Sequence, residues 1–287
     1  MPTATRRAAV LGHPVAHSLS PVLHRAAYDA LALEGWEYTA IDTPAEALQP
    51  FLADLDLTWA GLSLTMPLKQ TVIPLLGEID AVASATGAVN TVVLRPAACG
   101  VSLAGYNTDV HGLVAALREG LSGAPAASAV VLGAGATAAS AVAALAELGC
   151  TTPRVLVRSL ARTTALQEAA QRLGVTPRFE VLDAFAAAGA VSRADVVVST
   201  MPAHAADPLA AGLADRVGAV GGVLLDVVYD PRPTVLSRAW AELGGAVVGG
   251  ERMLLHQAAE QVRLMTGRVA PLDAMDAALT GALAAAR

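Results

Sequence analysis

The chain has 287 residues, 54% of them hydrophobic and only 15% charged, with a formal net charge of -6. That length allows one large domain or two of ordinary size, and that composition is against disorder. The acidic balance, with no block of Lys or Arg to offset it, argues against a nucleic-acid partner, and no apolar stretch reaches the ~18 residues that a membrane span needs.

Val10-Leu11-Gly12 closes a first strand, and a polar loop follows from His13. Ser20-Pro21 reads as N-cap and first helical position of a helix running to about Leu33. Trp36 to Ile41 is a second strand and Ala45 to Leu55 a second helix. Gly61 to Thr65 is a third strand, stopped by Met66-Pro67 because proline cannot continue a ladder. Thr91 to Leu94 and Val101 to Gly105 form a strand pair around a turn at Pro96. A helix from Asp109 to Leu121 then leads into a more regular stretch. Its strands are Ala129 to Leu132, Arg154 to Val157, Arg178 to Leu182, Asp195 to Ser199 and Val223 to Val227, with helices such as Leu160 to Leu173 between most of them. Such alternation predicts α/β architecture: a mixed sheet first, then a parallel doubly wound sheet with right-handed crossovers. The end, from Glu251 to Ala286, reads as two helices separated near Gly267 and Pro271.

Cys99 and Cys150 have neither metal nor disulfide spacing and read as reduced small hydrophobes. Met1 to Arg7 runs directly into a strand, unlike a signal peptide, so a cytoplasmic setting is expected. His13 and His17 are separated by Pro14, which rules out a helical metal pair, and the other histidines lie on separate elements, so no metal is expected.

Gly133-Ala134-Gly135-Ala136-Thr137-Ala138 follows a buried strand and opens a helix, the context of a dinucleotide fingerprint. Alone it is equally an ordinary strand-to-helix turn. An NAD site presents Asp or Glu at the end of the next strand, about 20 residues on. Here that strand ends at Val157-Arg158-Ser159, with Arg162 a turn later. A guanidinium there grips a 2′-phosphate, which selects NADP(H); the alternative is two surface arginines.

In the first half, Ser18 and Ser20 present two hydroxyls at a helix start, which suits a carboxylate, although Ser20 could simply cap the helix. Thr65 and Lys69 follow a strand end, where open α/β sheets hold ligands. Asn90-Thr91 and Asn107-Thr108-Asp109 sit beside glycines at element boundaries. Asn90 offers both a donor and an acceptor to a polyol, and Asp109 opens the helix leading into the second half.

Together these residues resemble the shikimate dehydrogenase family over Gly12 to about Gly267. The motifs are G-x-P-x-x-H-S-x-S-P at Gly12 to Pro21, T-x-P-x-K at Thr65 to Lys69, A-V-N-T at Ala88 to Thr91 and N-T-D at Asn107 to Asp109. Ser199 to Pro202, the Asp226-x-x-Tyr229-x-Pro231-x-x-Thr234 run and Gly250-x-x-Met253-Leu254-x-x-Gln257 continue the match. The resemblance implies a substrate-binding and catalytic domain at 1–109, a Rossmann-type NADP-binding domain at 110–250, and C-terminal helices at 251–287 that return to the first domain. It implies NADPH-dependent reduction of 3-dehydroshikimate in the aromatic amino acid (chorismate) pathway, with Lys69 and Asp109 catalytic. Ser18 and Ser20 would bind the substrate carboxylate, with Tyr229 reaching close to it. Thr65, Asn90 and Gln257 would surround the hydroxyls. Gly133, Gly135, Ala136, Arg158, Ser159 and Arg162 would hold the cofactor, with Thr200, Gly250 and Met253 at the nicotinamide.

The chain departs from the family pattern at four places: Ser63 and Arg25 stand where Asn is common, Ala136-Thr137 in the glycine turn, and Val157 before Arg158. Ser63, two residues before its strand's end, is expected to support the loop. The rivals are a quinate/shikimate or aminoshikimate dehydrogenase using NAD, against which Arg158 speaks, and a non-catalytic shikimate/NADP-binding sensor, against which Lys69 and Asp109 speak. Monomer and homodimer stay open.

Overall fold

The computed structural model describes residues 5–98 and 100–285. The chain divides into two compact units: one runs to Asp109 and takes in everything from Leu254 onward, and the other is Val110–Met253.

In the first unit the order is β1 (Arg6–Gly12), α1 (Ser20–Ala30), β2 (Trp36–Asp42), α2 (Leu48–Ala53), β3 (Trp59–Leu64), α3 (Leu68–Thr71), β4 (Glu78–Ile79), α4 (Ala81–Thr86), β5 (Thr91–Pro96) and β6 (Val101–Tyr106). The strands make a six-stranded mixed sheet in the order β2-β1-β3-β5-β6-β4, with β5 antiparallel to both β3 and β6. β3 is buried along its whole length, as expected of a strand covered on both faces.

The chain continues with α5 (Thr108–Leu121), β7 (Ala129–Leu132), α6 (Ala136–Glu147), β8 (Arg154–Val157), α7 (Thr164–Leu173), β9 (Arg178–Val181), α8 (Ala184–Val191), β10 (Val196–Ser199), α9 (Asp207–Arg216), β11 (Val223–Asp226), α10 (Val235–Glu242) and β12 (Ala246–Gly249). These strands form a six-stranded sheet in the order β12-β11-β10-β7-β8-β9, parallel throughout. This is the doubly wound arrangement that the alternation predicts, with its switch point between β7 and β10, where ligands bind at strand C-terminal ends.

Helices α11 (Gly250–Thr266) and α12 (Leu272–Ala285) complete the chain. Leu255, Ala258, Val262 and Met265 of α11 and Met275 and Leu279 of α12 share one apolar cluster with Leu23, Ala27 and Tyr28 of α1. The C-terminal helices therefore do return to the first unit. Among the described residues no helix is long and apolar enough to cross a membrane. Cys150 is buried and free, whereas Cys99 lies outside the described residues.

Local chemistry moves several boundaries. Ser20 is not the N-cap of α1 but its first residue. Leu19 holds the cap position, its carbonyl accepting from Val22 and Leu23, and the Ser18 hydroxyl accepts from the Ser20 N–H at 3.3 Å. The helix ends at Ala30, with Ala32 at φ 49° in the turn beyond it. Ala45–Ala47 is a 3-10 turn rather than the start of α2, and Leu160–Arg162 is a separate 3-10 turn before α7. Pro96 ends β5 opposite Val101, where its missing N–H costs no ladder bond, and the turn follows it.

His24, fully buried on α1, donates from Nδ1 to the Ser20 carbonyl at 2.9 Å and stacks on Tyr38 with centroids 3.9 Å apart. Burial holds its imidazole down to about 4 against the usual 6.5, the Ser20 contact opposing weakly. Between those values the unfolded chain binds a proton that the folded chain refuses. Stability is therefore lost as pH falls through that window, by about 3 kcal/mol from this group. Urea unfolding of the wild type should weaken between pH 6.5 and 4 more steeply than that of His24→Phe; parallel profiles would contradict the assignment.

Candidate active site

Strand β3 ends at Leu64, whose N–H bonds the Asn90 carbonyl at 2.7 Å, so the start of β5 lies beside the Thr65-to-Lys69 turn. That turn is closed by the Leu68 N–H on the Thr65 carbonyl at 2.8 Å and begins α3, which carries Lys69. Two chain segments far apart in sequence are thereby brought to one point.

At that point the Lys69 ammonium lies 2.5 Å from Oδ2 of Asp109, with side-chain exposures of 17% and 5%. The other carboxylate oxygen accepts from the Asn90 amide at 2.8 Å. The Asp109 N–H is in turn held by Asn107 Oδ1 at 3.0 Å. A buried carboxylate paired this way has a cation on one oxygen and a hydrogen-bond donor on the other, the condition for keeping an ion inside a protein.

Asn90 Nδ2 also donates to Thr108 at 2.9 Å and, at 3.3 Å, to Gln257 Oε1, while its Oδ1 accepts from the Thr108 N–H at 2.8 Å. Gln257 donates to the Leu254 carbonyl at 3.0 Å. Lys69, Asn90, Asp109 and Gln257 are thus joined in one network. Ser18 and Ser20 contact each other at the α1 start. Thr65 is half-buried, its methyl filling the space where a side chain on Gly12 would fall.

Sequence reading gave no role to four contributors to this region. Tyr38 and Gln261 read as ordinary strand and helix residues, and Thr91 and Thr108 stood in motifs without a role of their own, yet all four are buried and hydrogen-bonded. Thr91 and Thr108 carried a signal through their asparagine-threonine motifs, and Gln261 through its place four residues after Gln257 on the same helix face. Ser63 does not support the loop: its hydroxyl faces the interior, between Tyr38 at 2.6 Å and Gln261 at 2.8 Å. Arg25, another departure, donates to the Tyr38 carbonyl at 3.1 Å.

In the second unit, Gly133 takes φ +109° at the end of β7, and a Cβ there would lie 2.6 Å from the Thr200 hydroxyl. Only glycine fits. Thr200 itself donates to the Leu132 carbonyl at 2.8 Å, joining the ends of β7 and β10 at the switch point. No side chain caps α6, so the amides at its start keep their capacity for an anion. A cavity of about 680 Å³ opens there, lined among others by Gly133, Gly135, Arg158, Ser159, Arg162 and Thr200. Arg158 and Arg162 are exposed, and among the described residues neither has an ion-pair partner. Glycine turn, open helix start and two available guanidiniums fit a phosphorylated dinucleotide. Val157 turns into the core beneath it.

Ala136, Gly250, Met253 and Tyr229 do not line this cavity. Ala136 opens α6. Gly250 opens α11 against the Val227 backbone, so closely that no side chain could stand there. Met253 is buried in the apolar core of its unit. Tyr229 sits in the loop after β11, its phenol pushed up by burial and by neighbouring Asp230. Thr234 donates to Asp226 at 2.8 Å and closes this loop at its base. Among the described residues no group of three or more His, Cys, Asp or Glu is placed to hold a metal.

Two family models match the chain: the shikimate dehydrogenase substrate binding domain at residues 10–92 and the shikimate 5′-dehydrogenase C-terminal domain at 250–280. The NADP(+) shikimate dehydrogenase of Geobacter sp. (strain M21) is 38% identical, over 98% of this chain and 96% of that one. The crystal structure of Mycobacterium tuberculosis shikimate dehydrogenase is 42% identical, with a TM-score of 0.84, covering 96% of this chain and 99% of that one. The quinate dehydrogenase of Corynebacterium glutamicum, solved with NAD, is 31% identical with a TM-score of 0.82, again covering 96% and 99%.

Proposed function

The chain belongs to the shikimate dehydrogenase family, and from that premise we propose that it reduces 3-dehydroshikimate reversibly to shikimate with NADPH. The observation that carries the reading is the Lys69–Asp109 pair at 2.5 Å with Asn90 on the second carboxylate oxygen.

The bound nicotinamide supplies or accepts the hydride at the substrate's C3. Lys69 sets a positive charge and a proton at the oxygen that becomes alkoxide-like, a form of electrostatic and general acid catalysis. Asp109 orients the ammonium, and the two share the proton as one coupled unit. The Asn90 amide is committed to Thr108 and Asp109, so it aims the carboxylate. Ser18 and Ser20 take the substrate carboxylate at the start of α1, and Thr65, Gln257 and Tyr229 contact the substrate. The α6 amides after Gly133 and Gly135 hold the diphosphate, Ala136 lying at that start. Arg158, Ser159 and Arg162 would hold the 2′-phosphate, and Thr200, with Gly250 and Met253 behind it, would stand toward the nicotinamide.

A second reading, quinate oxidation with NAD, is favoured by the likeness to the NAD-bound quinate dehydrogenase. Against it stand Arg158 and Arg162 at the cavity rim, without an ion-pair partner among the described residues. Steady-state oxidation of shikimate and of quinate, each with NADP and with NAD, separates them. We expect the highest kcat/KM for shikimate with NADP; quinate with NAD in first place would reverse the assignment.

A further inference from the structure

Beneath the Lys69–Asp109 pair runs a buried line of hydrogen bonds, with a side branch through Thr108. Tyr38 donates to Ser63 at 2.6 Å, Ser63 to Gln261 Oε1 at 2.8 Å, and Gln261 Nε2 to Thr91 at 3.0 Å. Thr91 then donates to Asn90 Oδ1 at 2.9 Å, and Asn90 Nδ2 to Asp109 Oδ1 at 2.8 Å. None of these six residues is more than 3% exposed, so water does not compete.

The amide and carboxylate ends set the direction of the line. Asn90 Oδ1 faces the Thr108 N–H, which only donates, and Asn90 Nδ2 faces a carboxylate, which only accepts. Gln261 Nε2 faces the Asn90 carbonyl at 3.4 Å as well as Thr91, which fixes its amide too. Thr91, receiving from Gln261, gives its own proton to Asn90 at 2.9 Å, the shorter of its two remaining contacts, the Thr108 hydroxyl lying at 3.3 Å. Ser63, giving to Gln261 Oε1, must receive from Tyr38, whose phenol burial keeps protonated. Every donor therefore points toward Asp109, and bonds aligned this way polarise and stiffen one another.

We propose that Gln261 is a positioning residue for the reaction: its carboxamide couples Tyr38 and Ser63 to Thr91 and Asn90, and so holds the Asp109 carboxylate in register with Lys69. It rests on the reading of Lys69 and Asp109 as the reacting pair. Gln261 bonds Ser63, Thr91 and the Asn90 carbonyl and none of the side chains proposed to hold substrate or cofactor, so its effect is on turnover and not on ligand affinity. Serine at position 63, where the family pattern commonly has Asn, is short enough for Tyr38 and Gln261 to meet through one hydroxyl.

The test is a kinetic double-mutant cycle on the whole enzyme with Gln261→Met, which keeps volume, and Tyr38→Phe, which keeps the ring stacked on His24. Active sites are counted by NADPH binding. Gln261→Met should lower kcat per site about 10-fold, with KM for shikimate and Kd for NADPH within two-fold. Tyr38→Phe should lower kcat about two- to three-fold alone and not at all in the Gln261→Met background, because its effect passes through Gln261. A purely structural role would change melting temperature and active fraction while leaving kcat per site unmoved. Wild-type kcat per site in Gln261→Met, or a Tyr38→Phe effect equal in both backgrounds, overturns the proposal. If Gln261→Met does not fold, Ser63→Ala with Tyr38→Phe completes the same cycle. Such an outcome leaves Lys69→Ala inactive, whereas an active Lys69→Ala would sink the underlying reading.

Discussion

Lys69→Ala is expected to lower kcat by about 10²–10⁴ while KM for shikimate stays within a few fold. The ammonium is half-buried and 2.5 Å from Asp109. On the proposed mechanism, alanine removes both the charge that stabilises the developing alkoxide and the proton that neutralises it. Ground-state binding suffers less if, as proposed, Ser18 and Ser20 hold the substrate carboxylate elsewhere. The substitution also leaves Asp109 buried without its cation, although Asn90 still donates to one oxygen. A thermal melt should accordingly show a modest loss, and rates must be compared on folded protein. Near-normal turnover in that protein would remove Lys69 from the chemistry.

Arg158→Ala is expected to lower kcat/KM for NADP by about 10–100-fold while NAD changes only a few fold. A charge-assisted hydrogen bond to a phosphate contributes roughly 1.5–3 kcal/mol, and each 1.4 kcal/mol is tenfold. Arg158 lines the cavity at the end of β8 without an ion-pair partner among the described residues, so the substitution breaks no internal bridge. The NADP-to-NAD ratio is the informative quantity. Equal losses with both cofactors would mean that Arg158 shapes the cavity without reading the phosphate.

What was legible in the sequence follows from which features constrain the backbone locally. Gly133 announced itself because its conformation and its closeness to Thr200 admit no side chain. The parallel sheet was legible because strands buried on both faces, such as Val196–Ser199, read as unbroken apolar runs. The strands β4 and β12 escaped: one has two residues, and the other is an Ala-Val-Val-Gly edge after Gly244-Gly245, with no alternation to mark it.

The candidate site was legible residue by residue but not as a geometry. Lys69 and Asp109 are forty positions apart, and only the β3–β5 pairing brings Asn90 to the lysine turn. Ser20 looked like a cap because its type suits that position, yet Ser18 supplies the side-chain oxygen. The donor line through Tyr38, Ser63, Gln261 and Thr91 left almost no trace. A hydroxyl on a strand or an amide on a helix is unremarkable until burial leaves it only one partner to choose.

The most direct measurement follows absorbance at the reduced-nicotinamide band after shikimate and NADP are added to the purified protein. A steady rise, dependent on both compounds and absent in Lys69→Ala, is the predicted result. No change, from protein shown to be folded and able to bind NADP, would contradict the account.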